Sequence, residues 1–486
     1  MKKLAFALLA VLALLVAVVL VRTARFGTRE AAVPAAAPYT PPAGAAERLA
    51  EAVRIPTISH EDPARFDAAA FTAFHELLRA RFPRVHARLR RETVAGYSLL
   101  YTWPGADPGL PPLLLMGHMD VVPVEPGTEA RWHQPPFAGA VADGFVWGRG
   151  TLDDKVAVLG TLEAVEMLLA EGFAPRRTVL LAFGHDEEVA SHGAVRTAAL
   201  LRSRGVRPMM VVDEGGVIGH GLVPGVARPT ALVGIAEKGF LSLELSAEAE
   251  GGHSSMPPRH GSIGRLSAAI RRLEDSPLPA RLDGPTLRLF SRVGPEMDFA
   301  QRAVFANLWL TRPLVIRTLA GAPASDAMVR TTTAPTIFQA GAKENVLPSR
   351  ARAVVNFRIL PGDSIAGVVA HVRRVVNDPA VRVRVVEGSA DEPSPVSPAD
   401  GEPFRLLERS IRQAAPDALV APYLVVGGTD ARYYHAVAGH VYRFLPVRMR
   451  SGDLERMHGT DERIAVRDYL GAIRFYRQLI LNAASR

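Results

Sequence analysis

The chain has 486 residues, 48% of them hydrophobic and 22% charged, with 57 basic residues against 49 acidic ones and no cysteine. That length exceeds one compact core and predicts two domains, and the composition is that of a globular chain, not a disordered one. The absence of cysteine excludes disulfides, thiolate metal ligands and a cysteine nucleophile, and the +8 charge comes from scattered basic residues without interleaved aromatics, so nucleic acid is not an expected partner.

Lys2 and Lys3 precede an unbroken apolar run of 18 residues, Leu4 to Val21. Such a run is near bilayer-spanning length and long for a signal-peptide core of ~7–15 residues. Arg22, Arg25 and Arg29 follow, without a small-x-small cleavage site. Residues 1–25 therefore read as an uncleaved signal-anchor that attaches an extracytoplasmic catalytic part to the membrane. The alternative is a cleaved signal peptide and a secreted or periplasmic product. Basic residues on both flanks leave orientation open. Residues 26–44 include "AAVPAAAPYTPPAG", Ala31 to Gly44, and read as a Pro/Ala tether.

Globular periodicity begins at Ala45. Helical patterns at 45–53 and 64–82 precede an apolar strand at 113–116. A helix at 155–171, a strand at 178–184, a helix at 194–203 and a strand at 209–215 follow. Continuously apolar strands alternating with helices predict a mostly parallel sheet covered on both faces. Ligands of such sheets gather at the strand carboxyl ends. Near residue 231 the texture changes. Segments 240–250 and 350–360 alternate with period two around helical patterns at 263–273 and 364–375, which predicts a smaller α+β domain with an antiparallel sheet. Residues 283–336 have weak periodicity and read as an elaboration within that insert. The α/β texture then resumes up to a helix at 466–483. The expected organisation is an α/β catalytic domain in two parts, 45–233 and 393–486, interrupted by the α+β domain at 234–392.

Acids and histidines sit where the apolar segments end: His118 and Asp120, Asp153 and Asp154, Asp186 to Glu188, Asp213 and Glu214, and His458. Each alone has a structural reading, such as a hydrogen-bonded core histidine, a helix cap or a turn acid. Together they bring four or more carboxylates to one sheet edge, where they repel unless cations compensate. Two imidazoles and several carboxylates without cysteine suit a pair of borderline cations such as Zn²⁺. Such a pair, ~3.5–4 Å apart, activates a water, and one carboxylate off the metals must take its proton.

The segments "MGHMDVVP", "GRGTLDDK", "GHDEE", "VVDEGG", "GGHSSMPP", "ENVLPSRARAVVNFR" and "MHGTDE" occur in this order. From about Ala45 to Ala483 the chain resembles the aminoacylase and carboxypeptidase family of co-catalytic di-zinc exopeptidases, closest to its carboxypeptidase S and N-acyl-amino-acid hydrolase/synthase branch. The resemblance implies a zinc-peptidase-like catalytic domain with a lid and dimerisation domain. It also implies cleavage of an amide beside a free-carboxylate residue, in a short peptide or an N-acyl amino acid. His118, Asp153 and an acid of "VVDEGG" would hold one Zn²⁺; Asp153, Glu188 and His458 would hold the second. The branch's aspartate corresponds to Asp213, whereas a glutamate used by other relatives could align with Glu214; Asp213 is the expected ligand. Asp120 would orient His118, Glu187 would act as general base, and the Asp153–Asp154 peptide would be cis. His253, often acting across a homodimer interface, would polarise the scissile carbonyl. Asn345, Arg358, Gly428 and Thr429 would contact substrate. Structural readings of the same residues are Thr429 as a helix cap, His253 in a turn and Arg358 in a surface ion pair. Several relatives carry Asp two residues before the lid Arg, where this chain has Asn356.

Overall fold

The structure, a computed structural model, describes residues 2–27, 30 and 32–485. Arg29 and Ala31 of the N-terminal reading lie outside them. The apolar run forms one helix, Lys2–Arg25. At ~1.5 Å per residue it is about 36 Å long, sufficient for a hydrocarbon layer of about 30 Å. Among the described residues it is the one helix long and apolar enough to cross a membrane.

The stretch after this helix is not a free spacer. The Gln413 amide donates to the Pro34 carbonyl at 3.1 Å, and the Ala37 N–H donates to Gln478 Oε1 at 3.0 Å. The Tyr39 hydroxyl donates to the Leu470 carbonyl at 2.8 Å. Prolines keep these residues extended, as composition suggests, but extended carbonyls and one tyrosine found partners on the body, and this corrects the tether reading.

The large sheet runs in the order Arg90–Val94, Ser98–Trp103, Val179–Gly184, Leu113–His118, Met210–Asp213, Val441–Arg443, Thr230–Glu237, Ile218–Gly219, Arg448–Met449, with Leu419–Val425 also paired to Thr230–Glu237. Its centre is parallel, because Leu113–His118 lies between Val179–Gly184 and Met210–Asp213. It turns antiparallel toward Ser98–Trp103 and where Val441–Arg443 meets Thr230–Glu237, so the sheet is mixed. One face is buried under the helices Lys155–Ala170 and Val466–Ala484. The other packs under His192–Ser203 and the 3₁₀ segment Asp430–Ala436. The central register pairs Leu113 with both Val179 and Met210 and His118 with Gly184, so three strands reach the same edge together.

The smaller sheet is antiparallel, ordered Thr332–Ala340, Arg350–Ile359, Gly239–Glu248, Val381–Asp391. Leu241, Leu243, Leu245, Val355 and Phe357 pack under the helices Ser262–Asp275 and Ile365–Val376. The alternate positions carry a charged ladder, with Glu244 2.9 Å from Arg384 and also bonded to Arg352. The expected boundary at 234 falls inside the Thr230–Glu237 strand of the large sheet. The weakly periodic stretch forms the helices Gly284–Val293, Phe299–Ala306 and Leu308–Leu319. Leu289, Phe290 and Val293 pack with Leu232, Leu419 and Ala421 of the large sheet, so these helices cover the larger body although they lie within the insert in sequence.

Candidate active site

Leu113–His118 is buried along its whole length, and it ends where helix Lys155–Ala170 begins. Gly117 allows that approach, since a Cβ there would lie 2.9 Å from Asp154 Oδ2. His118 and Asp120 are both buried. His118 Nδ1 donates to the Asp120 carbonyl at 3.1 Å and lies 3.3 Å from Asp120 Oδ1. This turns Nε2 toward Asp153 Oδ1, 2.9 Å away.

Asp120 does more than hold one imidazole. Its Oδ1 accepts the Glu187 N–H at 3.2 Å, and its Oδ2 accepts the Glu188 N–H at 3.1 Å together with the Ser59 hydroxyl. One buried carboxylate thereby fixes both the histidine and the loop after Val179–Gly184. Asp186, in the same acidic run, turns away and caps helix His192–Ser203 by accepting the His192 N–H at 2.8 Å and the Gly193 N–H at 2.9 Å. That is the capping expected of an acid before a helix. On the other side Asp153 Oδ2 lies 3.0 Å from His458 Nε2, which is itself 3.2 Å from Glu188 Oε2. His458 holds φ at 60°, a sparsely populated region for a non-glycine residue. The Asp153–Asp154 peptide is cis.

Two residues that the sequence reading did not single out position these groups. Glu462, fully buried, accepts the Gly150 N–H at 2.9 Å, the Leu152 N–H at 2.8 Å and the Asp153 N–H at 3.4 Å, while pairing with Arg149 at 2.5 Å. It closes the "MHGTDE" segment, which is the only sequence signal it offers. Glu237, also fully buried, accepts the Thr429 N–H at 3.1 Å and hydroxyl at 3.0 Å, the Arg432 Nε–H at 2.9 Å and the Arg443 Nε–H at 3.2 Å. Nothing local marks it, because its partners come from 192 or more positions away.

The electrostatics show a surplus of negative charge. Burial, opposed by His118 and reinforced by Asp430, Glu188 and Asp153, pushes Glu187 well above the usual carboxylate range. Burial and then Asp153 raise Glu188 and Glu214, and burial raises Asp213 to about 6. Burial also works against ionised Asp153, but hydrogen bonds from His118 and His458 outweigh it and hold that group low. Hydrogen bonds to Asp153 and Glu188 in turn lift His458 to about 10. Buried oxygens of Asp154, Glu188 and Asp213 have no hydrogen-bond partner among the described residues. Crowded carboxylates, orphaned oxygens and two imidazoles form a donor set that fits cations. The ligand atoms of Asp153, Glu188 and His458 lie within 4.8 Å of one another, as do those of His118, Glu187 and Glu188. Asp213 and Glu214 adjoin these sets without entering either.

A cavity of about 550 Å³ opens beside Glu187 and Glu188, with Phe240, Arg358, Gly428, Thr429 and Arg432 in its wall. Arg358 stacks on Phe240, 4.8 Å from the ring centroid. Thr429 lines this cavity, but its hydroxyl is committed to Glu237 and caps the segment Asp430–Ala436. His253 and Asn345 come together on the short ribbon pairing Gly252–His253 with Val346–Leu347, where the Ser254 N–H donates to the Asn345 carbonyl at 3.2 Å. His253 is exposed, and the ribbon is not part of the cavity wall.

Residues 114–482 match Peptidase family M20/M25/M40. The chain is 42% identical to the probable carboxypeptidase S-like 2 of Dictyostelium discoideum, over 90% of this chain and 84% of that protein. It is 40% identical to the human N-fatty-acyl-amino acid synthase/hydrolase PM20D1, over 90% and 87%. Among solved structures, the M20 family metallo-carboxypeptidase Sso-CP2 of Sulfolobus solfataricus shares the fold with a TM-score of 0.64 at 18% identity, over 90% of this chain and 98% of that one. Human carnosine dipeptidase 1 does so with a TM-score of 0.60 at 15% identity, over 92% and 100%. With its strand-edge acids and histidines in place, the chain belongs to peptidase family M20/M25/M40, as a metallo-carboxypeptidase or amidohydrolase.

Proposed function

We propose that the site holds two Zn²⁺ ions and hydrolyses the amide bond joining an acyl group or short peptide to an amino acid with a free carboxylate. His118, Asp153 and Asp213 are the proposed ligands of one ion, with Glu214 the alternative to Asp213. Asp153, Glu188 and His458 are those of the other. Bound there, such ions polarise the scissile carbonyl and acidify a water. Glu187 accepts the proton of the attacking water and delivers it to the amine nitrogen as the C–N bond breaks. Asp120 fixes His118 in the tautomer whose Nε2 faces the ions, as ligating imidazoles require. His253, supplied by a second copy through the smaller domain, stabilises the carbonyl oxygen. The exposed edge strand Thr332–Ala340, with Ile337 and Phe338 on its surface, supports such a homodimer.

The observation that carries this reading is the shared cavity of Glu187 and Arg358. The Arg358 guanidinium makes no ion pair among the described residues, and burial and then nearby Arg432 disfavour its charge. A carboxylate entering the cavity would relieve both, through a planar fork that matches it. Arg358→Ala should therefore raise KM for acid substrates about 10- to 100-fold, the scale of a lost charge-assisted hydrogen bond. It should leave an amidated substrate unaffected, and equal losses on both would contradict the assignment.

The substrate is a short peptide in the first instance, in keeping with the Dictyostelium relative, or an N-acyl amino acid, in keeping with the human one. A panel of dipeptides and long-chain N-acyl amino acids separates the two. Chelation should abolish turnover of whichever class is cleaved, and two equivalents of zinc should restore it. Turnover that survives complete metal removal would falsify the metal reading. The helix Lys2–Arg25 is proposed as a membrane anchor that leaves the catalytic part outside the cytoplasm, with a secreted form as the alternative.

A further inference from the structure

The last turns of the apolar helix are seated on the helix Phe299–Ala306 and on Asn307, from which the helix Leu308–Leu319 continues. Asn307 Nδ2 donates to Thr23 Oγ1 at 3.3 Å and to the Val19 carbonyl at 3.4 Å, and Arg22 Nε donates to the Ala306 carbonyl at 3.3 Å. Phe26 packs against Gly294, where a Cβ would sit 2.8 Å from its ring. Val19 still lies within the apolar run. If that run crosses a bilayer, the junction of these two helices at Asn307 meets it at the boundary between hydrocarbon and headgroups, not in bulk water.

Their outward surface has the character of that boundary. Phe299, Trp309, Leu310 and Leu314 are 56%, 53%, 50% and 59% exposed. They are four large apolar side chains within sixteen residues, on helices whose inner sides already serve the body. Leu310, Leu314 and Arg317 follow one another at helical spacing, Arg312 is exposed between them, and Arg302 stacks over Phe299 at 5.8 Å. Tryptophan and leucine beside arginines is the composition of a helix lying in a bilayer interface, with apolar groups among the acyl chains and cations at the phosphates.

We propose that the face formed by Phe299, Trp309, Leu310 and Leu314, with Arg302, Arg312 and Arg317, rests in an anionic phospholipid surface as a second membrane contact beside the anchor helix. The proposal builds on the anchor reading and adds a lipid-binding site on the catalytic body itself. The anchor alone would leave the body free to tilt; a lateral contact fixes its orientation to the membrane. Attraction to anionic headgroups would make the contact stronger at low salt.

Trp309 is its own probe, because Trp103, Trp132 and Trp147 are only 5%, 8% and 8% exposed. The full chain is reconstituted in phosphatidylcholine vesicles with and without 30% phosphatidylglycerol, and its membrane insertion is checked by alkaline extraction. Phospholipids brominated near the headgroup should quench at least half of the Trp309 emission, more so with phosphatidylglycerol, and Trp309→Phe should remove the quenched component. Emission untouched by brominated lipid yet quenched by aqueous iodide overturns the proposal, as does shielding that grows with protein concentration and so reports self-association. If alkaline extraction removes the chain, or the helix is cleaved in cells, the anchor reading fails separately. The same processed chain should then still float with anionic vesicles in a salt-sensitive manner, and Phe299→Ser/Leu310→Ser/Leu314→Ser should lose flotation while keeping hydrolytic activity. Absence of flotation by the parent chain overturns the lipid contact.

Discussion

Glu187→Gln should lower kcat by about 10²- to 10⁴-fold, the usual contribution of a positioned general base, with KM changed little and metal content unchanged. The side chain has the attributes of that role. Its backbone N–H is tied to Asp120 at 3.2 Å, so the loop cannot drift. Its carboxylate makes no hydrogen bond or ion pair among the described residues, and burial raises its proton affinity above that of an ordinary carboxylate. Metal content is the discriminating readout, because Glu187 also lies within ligand range of His118 and Glu188. A ligand would lose metal on becoming an amide, whereas a base loses turnover and keeps the metal. Turnover at the parent rate would sink the assigned mechanism.

Glu237→Ala should cost about 3–5 kcal/mol in urea-induced unfolding, the range for removing one partner of a buried ion pair. Arg443 is fully buried, its Nη2 lacks a hydrogen-bond partner among the described residues, and its Nε would be left facing an empty space. The same carboxylate holds Thr429 and Arg432 in the cavity wall, so the variant should also raise KM. Glu237→Gln keeps the volume and one acceptor and should fall between the two. A parent-like unfolding curve for Glu237→Ala would show that the Arg443 charge finds water or another acceptor.

Legibility of the site followed the range of the interactions. His118, Asp153 and Glu188 were readable as candidates because each stands near the end of an apolar segment, His458 only as a histidine in a polar loop, and the structure links the four in the order His118, Asp153, His458, Glu188. An orienting role for Asp120 is what the family resemblance implies and spacing alone does not supply it, and neither source reveals its grip on the Glu187 and Glu188 backbones. Ser59, Glu237, Arg432 and Glu462 were missed for one reason. Each acts through hydrogen bonds to residues tens to hundreds of positions away, and no local period encodes such a partner. Thr429 illustrates the converse: the residue lies in the expected wall, yet its hydroxyl serves the fold.

Taken by itself, the sequence determined what depends on short spacing. It specified the apolar strands with polar ends, the period-two strands of the smaller sheet and the N-terminal run long enough to cross a bilayer. Side-chain burial along a single element imposes those patterns, so they can be read without knowing the neighbours. Tertiary structure alone decided the mixed strand order and the burial of Glu237 and Glu462 as hubs. It alone also set the helices of residues 284–319 against the large sheet and the apolar helix. These depend on which distant surfaces meet, and an amphipathic helix carries an apolar face without recording what will cover it.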